Sequence, residues 1–523
     1  MRTSFAQVLR SAANVAGMNA AALVLGFTKD LIVAARFGVQ DSTDAYFGAT
    51  AMPRLLNALT LTLIGLVVVT IFIEVRERRG EAAAWRYAER VLGASTLFAL
   101  ALAALTAVFA APLVHLTLPG LGDASAGGTA ELLALLAPSV AFVGLTAVLG
   151  GLLNANRVFA LPAALGVIVN VGVIGAIALG AERLGIAALA IGTDLGYAAC
   201  AAVELAVLIH LGLRPRPVLG FRDPDVRRTL TLAAPLVGAV ASEQVGLVAA
   251  RLFVSFGSPG SLSLYVFIEK LRNAPVTLIG QALGIALYPS LAQAASSGAN
   301  HAIRAGVGRG VRVALALAVP IGGVFAICGG PVVRLVYQRG SFTPGDSEAG
   351  GVLLAAFAAG LVALTVVEVL DRAFYALQRT GWPAIGSLVR AVIIVIVALA
   401  LLPSYGALGV AVAFSAAAMA ELAALGLLLA RDLEARIVPD ALRTTLAIAA
   451  CAAAIWVAAR ALGLEGDGIV LGVGLLFIAI AGFIGYLAAV IVSGTRSVRA
   501  ELHRLMGAAD GSESVDSVRR RAP

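Results

Sequence analysis

The chain carries 38 lysines and arginines, yet only two are lysines, and both fall inside apolar stretches. Lys29 stands beside Asp30 in VLGFTKDLIVAARFG, and Lys270 follows Glu269 and precedes Arg272 in FIEKLRNAPVTLIG. Asp44 and Arg54 lie at the start of a second apolar segment, beside Pro53. A charge near the centre of a membrane helix costs about 2.5–3.5 kcal/mol on insertion scales. Charges kept at that cost face a protein interior or a water-filled path and mark a functional site by default. GC-rich codon usage explains arginine over lysine at surfaces, but not why both lysines lie in apolar segments.

Lys29, Arg54 and Lys270 would supply three positive charges, with Asp30, Asp44 and Glu269 as available partners. A cationic cavity inside a membrane selects an anionic ligand, and Arg and Lys suit phosphate as fork and point charge respectively. That reading points to an anionic, phosphorylated amphiphile. The competing reading is that Lys29–Asp30 and Glu269–Lys270 only lock helices together, and the residues alone leave both open. Asp194, Glu204, Glu243, Glu368, Asp371 and Glu421 are further intramembrane acids, with Arg251 and Arg390 as candidate partners and Asp371–Arg372 as a candidate helix-end pair. No enzyme is expected: the sequence has no G-x-S-x-G, no P-loop and no ligand-spaced His/Cys set, so neither catalytic residues nor a metal site are assigned. Cys200, Cys328 and Cys451 fall in apolar helices and read as small core residues.

The elements that must position these groups are membrane helices. The chain is 60% hydrophobic and 13% charged, with mean hydropathy +0.96, against about 45–50% and 25% for soluble domains. Apolar runs of about 20 residues recur along the chain, each long enough to span a bilayer. The fold class is therefore all-α polytopic, with fourteen expected spans. The first is Ser11–Ala35, and the second, Asp44–Val75, is broken by Pro53. The eighth is Leu262–Ala292, and the eleventh and twelfth are Pro383–Leu402 and Gly406–Leu429. Alternate loops are basic, which puts both termini in the cytoplasm and explains the net charge of +8 without nucleic acid. The loops around Gly120–Ala130, GSPGS and YQRGSFTPGD should face outside, although the last has Arg339 within it and Arg334 before it. No cleavable signal is expected. RLLNALTLTLIG (54–65) and KLRNAPVTLIG (270–280) superimpose with one gap, Arg54 falling on Lys270. That weak repeat suggests two six-helix halves with a site between them. The expected division is 1–228, 229–436, two further helices in 437–493, and a basic disordered cytoplasmic tail in 494–523.

VLGFTKDLIVAARFG followed by STDAYFGATAMPRLL resembles the N-terminal signature of the MurJ/MviN lipid II flippases of the MOP exporter superfamily. LLNANRVFALPAALGVIVNVGVI, EKLRNAPVTLIGQALGIALYPSLA, and VYQRGSFTPGDSEAGGVLLAAFAAGL with RAFYALQRTGWP resemble later parts, so the likeness spans about residues 5 to 430. The resemblance implies two six-helix lobes around a central cavity and two C-terminal helices forming a lipid groove. It implies alternating-access flipping of undecaprenyl-pyrophosphate-linked peptidoglycan precursor at the inner membrane, with cavity cations on the pyrophosphate. The implied partners are that lipid-linked oligosaccharide, membrane lipids and the cell-wall synthesis machinery. No cofactor is implied; coupling would be to the membrane potential, worth about 2.3 kcal/mol per charge per 100 mV, or to an ion gradient. Matched by motif, the cavity residues are Lys29, Asp30, Asp44 and Lys270, with Lys where the family has Arg. Two family arginines are Leu23 and Asn57 here, and Arg54 is the candidate substitute. Some members have a sodium site with Asn and Asp on the eleventh helix, where this chain has Arg390. The alternative substrate is another polyprenyl-linked oligosaccharide, for exopolysaccharide or surface glycan. A polytopic glycosyl transferase or a non-transporting scaffold would be a different class of function.

Overall fold

The computed structural model describes residues 5–216, 220, 222–433, 441–464 and 468–493. Among these there are sixteen helices and no strand, as expected where a bilayer gives the backbone no other hydrogen-bond partner. In chain order they are α1 (Phe5–Phe37), α2 (Asp41–Ala49), α3 (Ala51–Arg79), α4 (Glu81–Val108), α5 (Ala110–Thr117), α6 (Asp123–Ala155), α7 (Ala160–Ala163) and α8 (Leu165–Leu184). Then follow α9 (Ala187–Leu211), α10 (Pro224–Val254), α11 (Ser261–Ser296), α12 (Asn300–Tyr337), α13 (Pro344–Ala376), α14 (Gly381–Leu433), α15 (Ala441–Leu462) and α16 (Gly468–Ser493). Among the described residues eleven helices are long and apolar enough to cross a membrane. This is a multi-pass membrane protein. All fourteen expected spans fall on helix. However, α14 counts once although Gly406 (φ 52°, ψ −133°) interrupts it, and α3 and α10 are not among the eleven.

Two expected boundaries move. The second span breaks at Thr50, between α2 and α3, and not at Pro53. Pro53 lies in the first turn of α3, where the missing N–H has no intrahelical acceptor to lose. The loop expected from Gly120 is mostly helix, because α6 already begins at Asp123. Residue 228, the expected end of the first part, lies in the first turns of α10, which starts at Pro224 behind an Asp223 cap. The division at 436 and the tail from 494 lie outside the described residues.

The two parts of the chain repeat a local device. At the end of α6, Val158 N–H donates to Leu153 C=O at 2.9 Å and Arg157 N–H to Asn154 C=O at 3.0 Å. At the end of α13, Arg379 N–H donates to Phe374 C=O at 2.9 Å and Gln378 N–H to Tyr375 C=O at 3.1 Å. Both are Schellman closures. Each places a non-glycine residue in the left-handed region, Arg157 at φ 64° and Gln378 at φ 58°. Leu153 to Phe374, Arg157 to Gln378, and Pro162 to Pro383 are each separated by 221 positions (374 − 153, 378 − 157, 383 − 162).

The core is divided unevenly. One cluster of buried residues runs from α1, α2, α5 and α6 into α10–α16, and its aromatic centre is Phe47, Phe267, Tyr337 and Phe342. A second cluster, with Phe72, Tyr87, Leu149 and Leu208, belongs to α3, α4, α6 and α9 and takes in only the start of α10 from later in the chain. α15 and α16 pair with each other and pack on α12.

Candidate functional site

α1 and α11 bring the two lysines to one carboxylate. Lys270 Nζ donates to Asp30 Oδ1 at 2.6 Å, and Lys29 Nζ stands 3.6 Å from the same oxygen. The Lys270 ammonium also lies 4.8 Å from the ring centre of Phe47 on α2, a cation–π contact that strengthens away from water. The side chains of Lys29, Lys270 and Asp30 stay 22%, 18% and 10% exposed, so this mid-helix group borders an accessible space. Arg54 on α3 is exposed and lies within electrostatic range of both Asp30 and Lys270. Thus three of the five expected residues meet, as two lysines on one carboxylate, with Arg54 within electrostatic range and not in contact. Leu23 is 38% exposed on α1, and the side chain of Asn57 lies outside the described residues.

Glu269 does not pair with Lys270. Neighbours in a helix point about 100° apart, and Glu269 turns into its own half, where Oε2 lies 3.8 Å from Arg251 on α10. Arg390 and Glu421 pair at 2.9 Å across the two arms of α14. Arg372 reaches Glu368 at 3.5 Å, one turn away, and not Asp371.

Asp44 sits apart from the lysines. Its carboxylate accepts from Gly260 N–H at 2.7 Å and Ser263 N–H at 2.6 Å, the open N-terminus of α11. Gly260 occupies the cap position with φ +88° and no side chain to offer, so the cap comes from α2 instead. Sequence spacing gives no signal for a cap supplied from 216 residues away. Further contacts close this arginine-poor end. Ser341 N–H donates to Ala35 C=O at 2.8 Å, Ser341 Oγ to Arg36 C=O at 3.2 Å, and Gly120 N–H to Ser255 Oγ at 3.1 Å. Gly340 and Gly38 let these backbones touch, since a Cβ on either would overlap Ala35 or Ser341 respectively.

The arginine-rich end is tied by side chains. Arg79 holds Asp225 through two bonds of 2.6 and 2.7 Å, Arg228 meets Glu74 at 2.9 Å, and Arg90 pairs with Asp223. Tyr87 and Thr229 share a hydrogen bond of 2.8 Å. These contacts join the α3–α4 hairpin to the first turns of α10. The lysine cluster thus lies between an end closed by backbone and an end tied by ions.

A family model described as lipid II flippase MurJ matches residues 33–477. A protein named probable lipid II flippase MurJ from Rhizobium meliloti is 28% identical over 422 residues, covering 78% of this chain and 77% of the relative. One of the same name from Vibrio cholerae is 28% identical over 439 residues, 80% and 82% of the two chains. Among solved structures, lipid II flippase MurJ in an inward closed conformation superposes with TM-score 0.77 at 20% identity, over 91% of this chain and 98% of that one. An inward-facing MATE family multidrug transporter of the MOP superfamily gives 0.64 at 12% identity, over 79% and 94%.

Proposed function

We propose that this chain, which belongs to the MurJ family of lipid II flippases, carries lipid II across the bacterial inner membrane by alternating access. The observation that carries this reading is the charge count at the centre. Lys29 and Lys270 share the single carboxylate of Asp30, with Arg54 in electrostatic range, because Asp44 is committed to the α11 cap and Glu269 to Arg251. Uncompensated positive charge at that depth favours a ligand with an anionic group, and a pyrophosphate supplies one. Lys270 released from Asp30, with Lys29 and Arg54, would hold it. Arg54 here takes the part of the family arginines replaced by Leu23 and Asn57. Asp44 acts by positioning α11. Relatives named as lipid II flippases favour lipid II over another polyprenyl-linked oligosaccharide.

In this reading the two halves correspond to residues 1–228 and 229–436, and α15 and α16 form the groove for the lipid tail. The arginine-rich loops and both termini face the cytoplasm, and the arginine-poor end is the closed outer gate. The protein performs no bond chemistry, and the membrane potential or an ion gradient resets it. The test is complementation of a strain depleted of its own lipid II flippase, with protein level checked. Wild type should restore growth, Lys29→Ala and Lys270→Ala should abolish it while accumulating normally, and Lys→Arg should retain most of it. Wild-type growth from both alanine variants refutes the charged cavity. Failure of well-expressed wild type moves the substrate to another lipid-linked glycan.

A further inference from the structure

Only two of the 38 basic residues are lysines, and the fold brings both to one atom. Lys270 Nζ lies 2.6 Å and Lys29 Nζ 3.6 Å from Asp30 Oδ1. Lysine can do one thing there that arginine cannot. A guanidinium stays protonated in a protein, whereas an ammonium releases its proton when its surroundings oppose the charge. Asp30 is the one carboxylate that either lysine meets among the described residues. Arg54 of α3 adds a third positive charge in range of Asp30 and Lys270. With the two lysine side chains 22% and 18% exposed, water screens the ammonium groups from each other only in part.

The other ionisable groups of the surrounding helices are engaged elsewhere. Asp44 of α2 is turned to the N–H groups of Gly260 and Ser263, two turns away along α11. Glu269 leans to Arg251 of α10 at 3.8 Å, and Arg251 itself lies in range of Arg54. Tyr197 of α9 is in range of Arg54. Tyr337 of α12 is in range of Asp30, but its hydroxyl donates to Phe267 C=O at 3.1 Å. Further along α11, Glu368 and Arg372 of α13 pair with each other beside Gly280 and Gly284. Asp371 stands beside the Arg390–Glu421 pair of α14. The surplus of positive charge at Asp30 can be relieved in two ways: an anion binds, or the lysine pair holds one proton fewer. Arg54 allows only the first, and a protonated Asp30 would enlarge the surplus.

We propose that Lys29 and Lys270 form a proton-binding pair, which holds one proton fewer when the site is empty and takes that proton up as the anionic group of the substrate enters. The inference rests on the reading that this site receives the pyrophosphate of lipid II, and adds that binding is linked to a proton. The step balances: one N–H bond forms on a lysine amine, one proton leaves the surrounding water, and departure of the anion returns it. The proton belongs to the pair and not to either residue, because groups that share one carboxylate titrate together. A chain with arginine at both positions would bind the same anion without this linkage.

The test is calorimetric titration of the purified full chain in detergent with lipid II, near neutral pH, in buffers of different ionisation enthalpy. A pyrophosphate esterified at both ends has no proton to exchange near that pH, so the dependence of the heat on the buffer counts protons taken up by the protein. Wild type should take up about one proton for each lipid II bound, and its apparent affinity should fall as pH rises, by up to about tenfold per unit. Lys29→Arg combined with Lys270→Arg keeps both charges and, whatever affinity it retains, should take up no proton. A role confined to locking α1 to α11 gives no uptake in either protein. The proposal fails if wild type binds without uptake, or if the double variant takes up as much as wild type, which would put the proton elsewhere. If the double variant does not fold, Lys270→Met, which leaves Lys29 alone on Asp30, should also bind without uptake, and full uptake there overturns the pair. If wild type binds no lipid II, the substrate reading fails, and the same titration with sulfate, a dianion with no proton to exchange, decides the pair: uptake supports it and none overturns it.

Discussion

The arginine-poor and arginine-rich ends of the molecule are fastened by different means. At the arginine-poor end each of these contacts uses a backbone group: Asp44 carboxylate with N–H groups of α11, Ser341 N–H with Ala35 C=O, Gly120 N–H with Ser255 Oγ. Glycines permit the approach, and a shared aromatic core lies beneath. At the arginine-rich end the fasteners are long side chains, with Arg79 and Arg228 each at least half exposed. The first half there keeps a core that includes nothing from α11 onward. Backbone contacts of that kind are specific and costly to break, whereas exposed ion pairs exchange easily with water and salt. The two ends therefore differ in how strongly salt and water compete with their contacts.

The largest expected effect comes from removing the cap that α2 supplies to α11. Asp44 is 3% exposed, and Asp44→Ala leaves two buried N–H groups without an acceptor, a loss of about 2–6 kcal/mol at about 1–3 per group. Asp44→Asn keeps one accepting oxygen and should fall between the two. The melting midpoint and growth in the depleted strain should decline in that order. Equal behaviour of Ala and wild type would remove the cap from the account of the closed end.

A pair of glycines in one loop gives the next effect. A Cβ on Gly120 would stand 2.6 Å from Phe256 Cα, while one on Gly122 meets nothing within 4 Å. Gly120→Ala should cost about 1–3 kcal/mol, as overpacking does, and Gly122→Ala should stay within about 0.5 kcal/mol. Thermal unfolding of the two variants side by side isolates close backbone packing from any general effect of alanine in that loop.

The sequence announced these parts unequally. Lys29, Asp30 and Lys270 were legible because a charge inside an apolar run is conspicuous. That Lys270 would take Asp30, and not adjacent Glu269, was not legible, because it depends on how α11 is rotated against α1. Asp44 was legible as a residue that matters but not as a helix cap, since the backbone N–H donors it caps lie 216 and 219 positions away and carry no side-chain signature. The break at Thr50 was hidden by Pro53, the stronger local signal, which the first turn of α3 absorbs without strain. Helix positions were the easiest to read, because apolar length alone sets them. The count of crossings was harder, because Gly406 divides one continuous helical stretch.

The smallest effect should come from the arginine-rich end. Asp225→Asn leaves Arg79 without its bidentate carboxylate while keeping the cap that Asp223 makes on α10 at 2.9 Å. The Asp225 side chain is 15% exposed and that of Arg79 is 56% exposed, so the pair is open to ions, and a Debye length of about 4 Å at 0.5 M salt should screen most of it. The variant should therefore unfold slightly earlier than wild type at low salt, and the two melting curves should converge as salt rises. Asp44→Ala, buried against a helix terminus, should keep its deficit at every salt concentration. If the Asp225→Asn deficit also persisted in high salt, the two ends would be fastened alike.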